Sequence, residues 1–204
     1  MKVGPKYKIA KRLGASVFEK TQTQKFAVAS ERRAKTRGRG RGPTEYGRQL
    51  LEKQKVRITY GLTERKFSEY VREAMRSHGR EVTPAETLHR LIETRLDNVA
   101  YRLGLAPTRR AARQMASHGH ITVNGRKTTV PSRTIKVGDV IAIREGSRTR
   151  ALFDNFTERF AERSLASWLT WDPKTMAGGI TMMPTTESAD PAGDLSAVLS
   201  FYSR

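Results

Sequence analysis

Apolar residues recur at helical spacing through the middle of the chain and then switch to alternation. Arg48–Ile58 carries Leu50, Leu51 and Ile58 among charges, which predicts a first amphipathic helix. A second starts at Thr63 as N-cap with Glu64 in its first turn; Phe67, Tyr70, Val71, Ala74 and Met75 form its stripe and Gly79 is its stop. Thr83-Pro84-Ala85-Glu86 has the form of a capping box with proline at the first helical position. Leu88, Leu91, Ile92, Leu96, Val99 and Leu103 follow on one face and end at Gly104, as one helix or as two joined near Arg95. Pro107-Thr108 then predicts a helix over Arg109–His118, stopped by Gly119. At about 100° per residue, Ala111, Ala112 and Met115 share one side of it, and Arg109, Arg110, Arg113 and Ser117 the other.

Beyond Gly119 the period becomes two. Ile121 and Val123 point one way, His120 and Thr122 the other. Asn124-Gly125 is a strong hairpin signal, because a type I′ turn needs φ > 0 at both positions. A hairpin closed there pairs Thr122 with Lys127 and His120 with Thr129, and sets these four on a face away from the core. A further buried strand runs towards Arg144. Later signals are sparser: Thr157 could cap a helix through Leu165, and Trp168 and Trp171 read as buried anchors. Asp172-Pro173 ends that element, while Ile180–Met183 and Ala197–Tyr202 read as short apolar closing segments.

The first forty residues look different. Ile9, Leu13, Val17, Phe18, Phe26 and Val28 are too few to offset the ordering entropy of so basic a stretch, which predicts an arm that orders against a polyanion. Arg37-Gly-Arg-Gly-Arg-Gly42 superficially suggests a phosphate loop. No strand precedes it and no Gly-Lys-Ser/Thr ending follows, so an arginine-rich strip is the better account.

Charge sharpens this division. The chain has 39 Lys and Arg against 20 Asp and Glu, a formal net charge of +19. Residues 1–60 hold 17 bases and 4 acids (net +13), residues 61–144 hold 16 and 8 (net +8), and residues 145–204 hold 6 and 8 (net −2). Polyanion binding therefore belongs to the first two-thirds, with nucleic acid ahead of a membrane surface. No apolar run approaches the ~20 residues of a spanning helix, and no signal-peptide core follows the basic start. A cytoplasmic-type protein is expected. With no cysteine there are no disulfides or thiolate metal sites, and the four histidines lack zinc spacing. No metal and no cofactor are expected.

The sequence Arg-x-x-Ala-Arg-Gln, Ser-His-Gly-His-Ile-x-Val-Asn-Gly-Arg and Val-Gly-Asp-Val-Ile, within residues 109–141, resembles the RNA-binding module named after small-subunit ribosomal protein four. Arg95-Leu-Asp-Asn-Val-Ala-Tyr-Arg-Leu-Gly104 narrows the resemblance to the ribosomal family itself. So do Gly4-Pro5-Lys6-Tyr7-Lys8, Arg12-Leu13-Gly14, Tyr46–Lys55, Tyr60-Gly61-Leu62 and Phe201-Tyr202-Ser203-Arg204. The chain thus resembles the bacterial-type family of small-subunit ribosomal protein four. Lacking the four zinc-binding cysteines of many members, it falls in the zinc-free branch; the Arg-Gly strip also replaces a Pro-Gly-Gln-His-Gly type segment.

The resemblance implies a primary rRNA-binding protein that recognises a helix junction in the 5′ domain of 16S-type rRNA early in assembly. It also implies a seat by the mRNA entry channel in a cytoplasmic or organellar small subunit, contact with small-subunit protein five (protein three as a second neighbour), an influence on decoding accuracy and, in some members, repression of the protein's own message. The expected fold is α+β: a basic arm over 1–43, a helical domain over 44–93 rejoined by about 180–204, and a helix–hairpin module with its following linker over 94–179. Candidate RNA contacts in the module are Arg109, Arg110, Arg113, Ser117, His118, His120, Asn124, Arg126 and Lys127. Those of the arm and first helix are Lys6, Lys8, Lys11, Arg12, Arg32, Arg33, Lys35, Arg37, Arg39, Arg41, Arg48, Lys53 and Lys55.

Two other function classes compete. An RNA-modifying enzyme, such as a pseudouridine synthase targeted by the same module, needs a catalytic domain with a placed aspartate. Asp97 stands in a marked motif, but it reads as a structural partner of Arg95 or Arg102. A nonspecific nucleic-acid compactor shares the charge, but the ordered hairpin module argues against it.

Overall fold

The computed structural model describes residues 3–14, 17–18, 21–36, 44–76, 82–150, 153, 165–187 and 192–203. The Arg37–Gly42 strip, the Gly79 stop and the Thr157 cap fall outside them. The chain divides into two compact units, residues 1–88 with 191–204, and residues 89–190. The fold is α+β, as the pattern predicts.

In the first unit, α1 (Lys6–Leu13), α2 (Gln24–Thr36), α3 (Glu45–Thr59) and α4 (Glu64–Arg76) are joined by a final helix, α9 (Leu195–Tyr202). The expected arm is in part helical. Ala10 of α1, Phe18 from the connection that follows it and Phe26 of α2 make a small apolar cluster with Ile58 of α3 at its side. Thr21 tightens the turn between α1 and α2, its hydroxyl donating to the Phe18 carbonyl at 2.7 Å. The arm's few apolar residues pack on one another and on Ile58 of α3. α3 starts earlier than the stripe suggests, at Thr44, whose hydroxyl caps the Gly47 N–H. Phe67, Tyr70, Val71 and Ala74 bury the predicted stripe of α4. The segment Ala197–Tyr202 belongs to α9, capped by Asp194, and Leu195 and Val198 are its buried residues.

In the second unit the joint near Arg95 is real. α5 (Pro84–Glu93), which begins in the first unit and runs into the second, stops two residues before α6 (Leu96–Arg102), and Arg95 between them is extended and bridges Thr134. α7 (Arg109–Ser117) carries the predicted Thr108 cap, which accepts the Ala111 N–H at 3.0 Å. The sheet, β1 (Ile121–Val123), β2 (Arg126–Thr128), β3 (Val140–Ile143), β4 (Leu169–Asp172) and β5 (Ala177–Ile180), is antiparallel throughout in the order β2-β1-β3-β5-β4. A short helix, α8 (Glu145–Arg148), follows β3. Ala112, Met115, Ile121, Val123, Ile141, Ile143 and Trp168 are buried in one core with the apolar face of α6. Trp168 is a buried anchor, as expected; Trp171 is only half-buried.

Candidate nucleic-acid interface

The hairpin closes at Asn124 (φ 51°) and Gly125 (φ 75°), the positive pair that a type I′ turn requires. Its register pairs Thr122 with Lys127, as predicted, and Ile121 with Thr128. The expected His120–Thr129 pair lies beyond this ladder; the His120 carbonyl accepts the Arg144 N–H at 2.9 Å on the opposite, β3 side of the strand. Val123 faces Arg126 across the strands, so Arg126 projects on the side of Ile121, Val123 and Thr128, opposite to Lys127. Lys127 and Arg126 are both exposed, yet they serve different faces.

Around Lys127 the structure gathers several predicted residues. Its side chain runs over Gly119, where His118 and His120 flank the turn with ring centroids 6.1 Å apart. His120 is half-buried and its Nδ1 lies 2.9 Å from the Ser147 hydroxyl on α8. Burial, followed by the charges of Arg150, His118, Arg144 and Lys127, pushes its pKa below the ordinary histidine value of 6.5. Arg144 and Arg150, both exposed, therefore belong to this basic cluster although the sequence pattern did not single them out. The β1–β3 register sets Arg144 opposite His120, and the Ser147–His120 contact ties α8, which Arg150 follows, to the same turn.

The arginines of α7 are held from beneath by α6. Arg109 Nε–H donates to Asn98 Oδ1 at 2.8 Å, and its guanidinium carbon sits 4.4 Å from the Tyr101 ring centroid. Arg110 and Ser117 are exposed, and Arg113 lies 3.7 Å from Asp97. Asp97 is a structural partner of Arg95, which grips it through Nε (3.0 Å) and Nη2 (2.7 Å) with both side chains buried. Arg102 instead forks onto Glu93, at 3.0 and 2.7 Å.

Two candidates are engaged by the protein itself. Asn124 commits both ends of its amide, Nδ2 donating to Asp139 (2.8 Å) and Oδ1 accepting the Val140 N–H (2.8 Å), and so pins the turn to β3. Lys53 is buried: its ammonium meets Glu64 at 2.7 Å and lies 4.4 Å from the Phe201 ring centroid. The chain around it closes over the charge, which leaves it unsuited to phosphate. Lys55 pairs with Glu52. Lys8, Lys11, Arg12, Arg32 and Arg48 are exposed, and Lys6 is half-buried beside Phe18. Arg37, Arg39 and Arg41 and the side chains of Arg33 and Lys35 lie outside the described residues.

Among the described residues, no group of three or more His, Asp or Glu side chains could hold a metal ion, and no helix is long and apolar enough to cross a membrane. A rigid helix–hairpin face lined with bases and hydrogen-bond donors defines an RNA-binding module. The family comparisons agree in order along the chain: the ribosomal protein S4/S9 N-terminal domain matches residues 2–93, and the S4 domain residues 94–141. Small ribosomal subunit protein uS4 of Roseiflexus castenholzii is 43% identical over 208 residues, covering 99% of this chain and 98% of its own length. The protein of the same name from Acinetobacter baylyi is 38% identical over 206 residues, with 99% and 98% covered. The chain belongs to the uS4 family of small ribosomal subunit proteins, rRNA-binding structural constituents of the ribosome rather than enzymes.

Proposed function

We propose that this chain recognises a folded helix junction in the 5′ domain of 16S-type rRNA and helps to nucleate assembly there. On this reading it sits beside the mRNA entry channel, next to small-subunit protein five and with protein three as a further neighbour, and influences decoding accuracy. The observation that carries the reading is the preset basic face, with Arg110, Arg113, His118, His120 and Lys127 mounted on two elements sharing one core. A-form RNA hides its base edges in a deep groove, so a rigid protein surface selects RNA by backbone shape. Arg144 and Arg150 extend that face, while Asn124 and Lys53 serve the protein's own structure.

Binding of the full chain to a 5′-domain junction fragment and to an unrelated RNA of equal length, over a salt series, tests the proposal. A junction preference that survives high salt is the expected result. Equal affinities falling on one steep salt line would leave only counterion release and support a nonspecific compactor.

A further inference from the structure

We propose that Asn98 is a positioning residue for RNA recognition: held by the buried Glu93 carboxylate, it fixes the plane of the Arg109 guanidinium before RNA arrives. This rests on the reading of Arg109 as an RNA contact.

The geometry is a chain of directed hydrogen bonds. Glu93 is fully buried and Arg102 donates to both of its oxygens. Asn98, 3% exposed, points its Nδ2 at Glu93, bonding Oε2 and also the Glu93 carbonyl at 3.3 Å. A carboxylate and a carbonyl are acceptors only, so the amide has one possible orientation there. The amide oxygen is therefore turned towards α7, where it accepts the Arg109 Nε–H at 2.8 Å. Tyr101, one turn along α6 from Asn98, supports the guanidinium at 4.4 Å from its ring centroid. Nε is the inner donor of the arginine fork, so fixing it together with one face fixes the direction of the whole planar group.

The consequence concerns binding. A free surface arginine loses rotamer freedom when it meets phosphate, which weakens association. Here that loss occurs on folding.

A double-mutant cycle on the full chain tests this, with affinity for the junction fragment measured for wild type, Asn98→Ala, Arg109→Met and the pair. Asn98→Ala is expected to weaken binding roughly tenfold, with the pair no weaker than Arg109→Met alone. Undiminished loss from Asn98→Ala on the Arg109→Met background, or wild-type affinity in Asn98→Ala, overturns the proposal. Unchanged binding by Arg109→Met removes the premise and the proposal with it. Should Asn98→Ala unfold, Tyr101→Leu replaces it in the cycle. Its loss must vanish in the Arg109→Met background, and Tyr101→Phe, which keeps the ring, must restore affinity; failure of either overturns the proposal.

Discussion

The Lys127 side chain lies across Gly119, so closely that a Cβ on the glycine would collide with Lys127 Cε. Gly119 also has φ +73°, where an L side chain is strained. Gly119→Ala is therefore expected to cost about 1–2 kcal/mol from backbone strain and to displace Lys127 from the RNA face. Gly61→Ala is the control, since φ is +63° there and nothing lies within 4 Å. Thermal unfolding should show a similar loss in both variants; junction-RNA affinity should fall only in Gly119→Ala.

Asn124 separates two roles that one residue can combine. Asn124→Gly keeps the positive φ of the turn and removes the clamp on Asp139 and Val140. A loss of about 1 kcal/mol is expected by denaturant unfolding, the usual net worth of such a bond. The hydrogen bonds from the Lys136 backbone and the Asn124 side chain hold the Asp139 carboxyl below its usual 3.8. That contribution is present above 3.8 and lost as pH falls through the lower folded value; Asn124→Gly should lose less on acidification.

His120 gives opposite signs to stability and binding. Its folded pKa is lowered, so as pH falls through 6.5 the unfolded chain protonates first and stability declines. A phosphate laid against His120, His118, Lys127, Arg144 and Arg150 favours the imidazolium instead. Junction affinity should therefore rise over the same fall in pH while the melting temperature drops, and His120→Gln should lessen both trends. Affinity independent of pH would separate His120 from the RNA contact.

The Lys53–Glu64–Tyr202 cluster joins α3, α4 and α9. The Tyr202 hydroxyl donates to Glu64 at 2.7 Å, and burial together with that carboxylate pushes the phenol pKa above 10.0. Burial raises the Glu64 carboxyl, but hydrogen bonds from Lys53 and Tyr202 outweigh it, and the net pKa lies below 4.5. Tyr202→Phe is expected to cost about 0.5–1.5 kcal/mol. Glu64 stabilises above 4.5 and the benefit disappears as pH falls through its folded value, so the variant should also be less sensitive to acid in that window. A urea series at two pH values measures both.

Local grammar made much of the module legible. Thr108, Asn124-Gly125 and the alternation at Ile121 and Val123 each act within a few residues, and α7 and the hairpin follow from them. The Asp97–Arg95 pair was readable for the same reason, since a single residue separates the partners. What escaped depends on distant partners. Lys53 reads as a surface base until Phe201 covers it. β5 carries Gly178 and Gly179, which ordinarily signal a turn. Here a Cβ would strike the Thr170 and Asp139 carbonyl oxygens, so these glycines mark strands that approach closely, and residues 169–180 extend the sheet where a linker was expected. The helices α1 and α2 escaped because their small apolar cluster also draws on Ile58, far along the chain in α3.

The division of the chain also orders its synthesis. The first unit takes helices from residues 1–88 and its last one from residues 191–204, with the whole second unit in between. α3 cannot meet α9 until the chain is complete, so the first unit, although begun first, closes last. Truncation before Leu195 would leave every strand of the RNA-binding sheet in the sequence and strip the helical unit of its final partner. The first residues made thus depend on the last for their core.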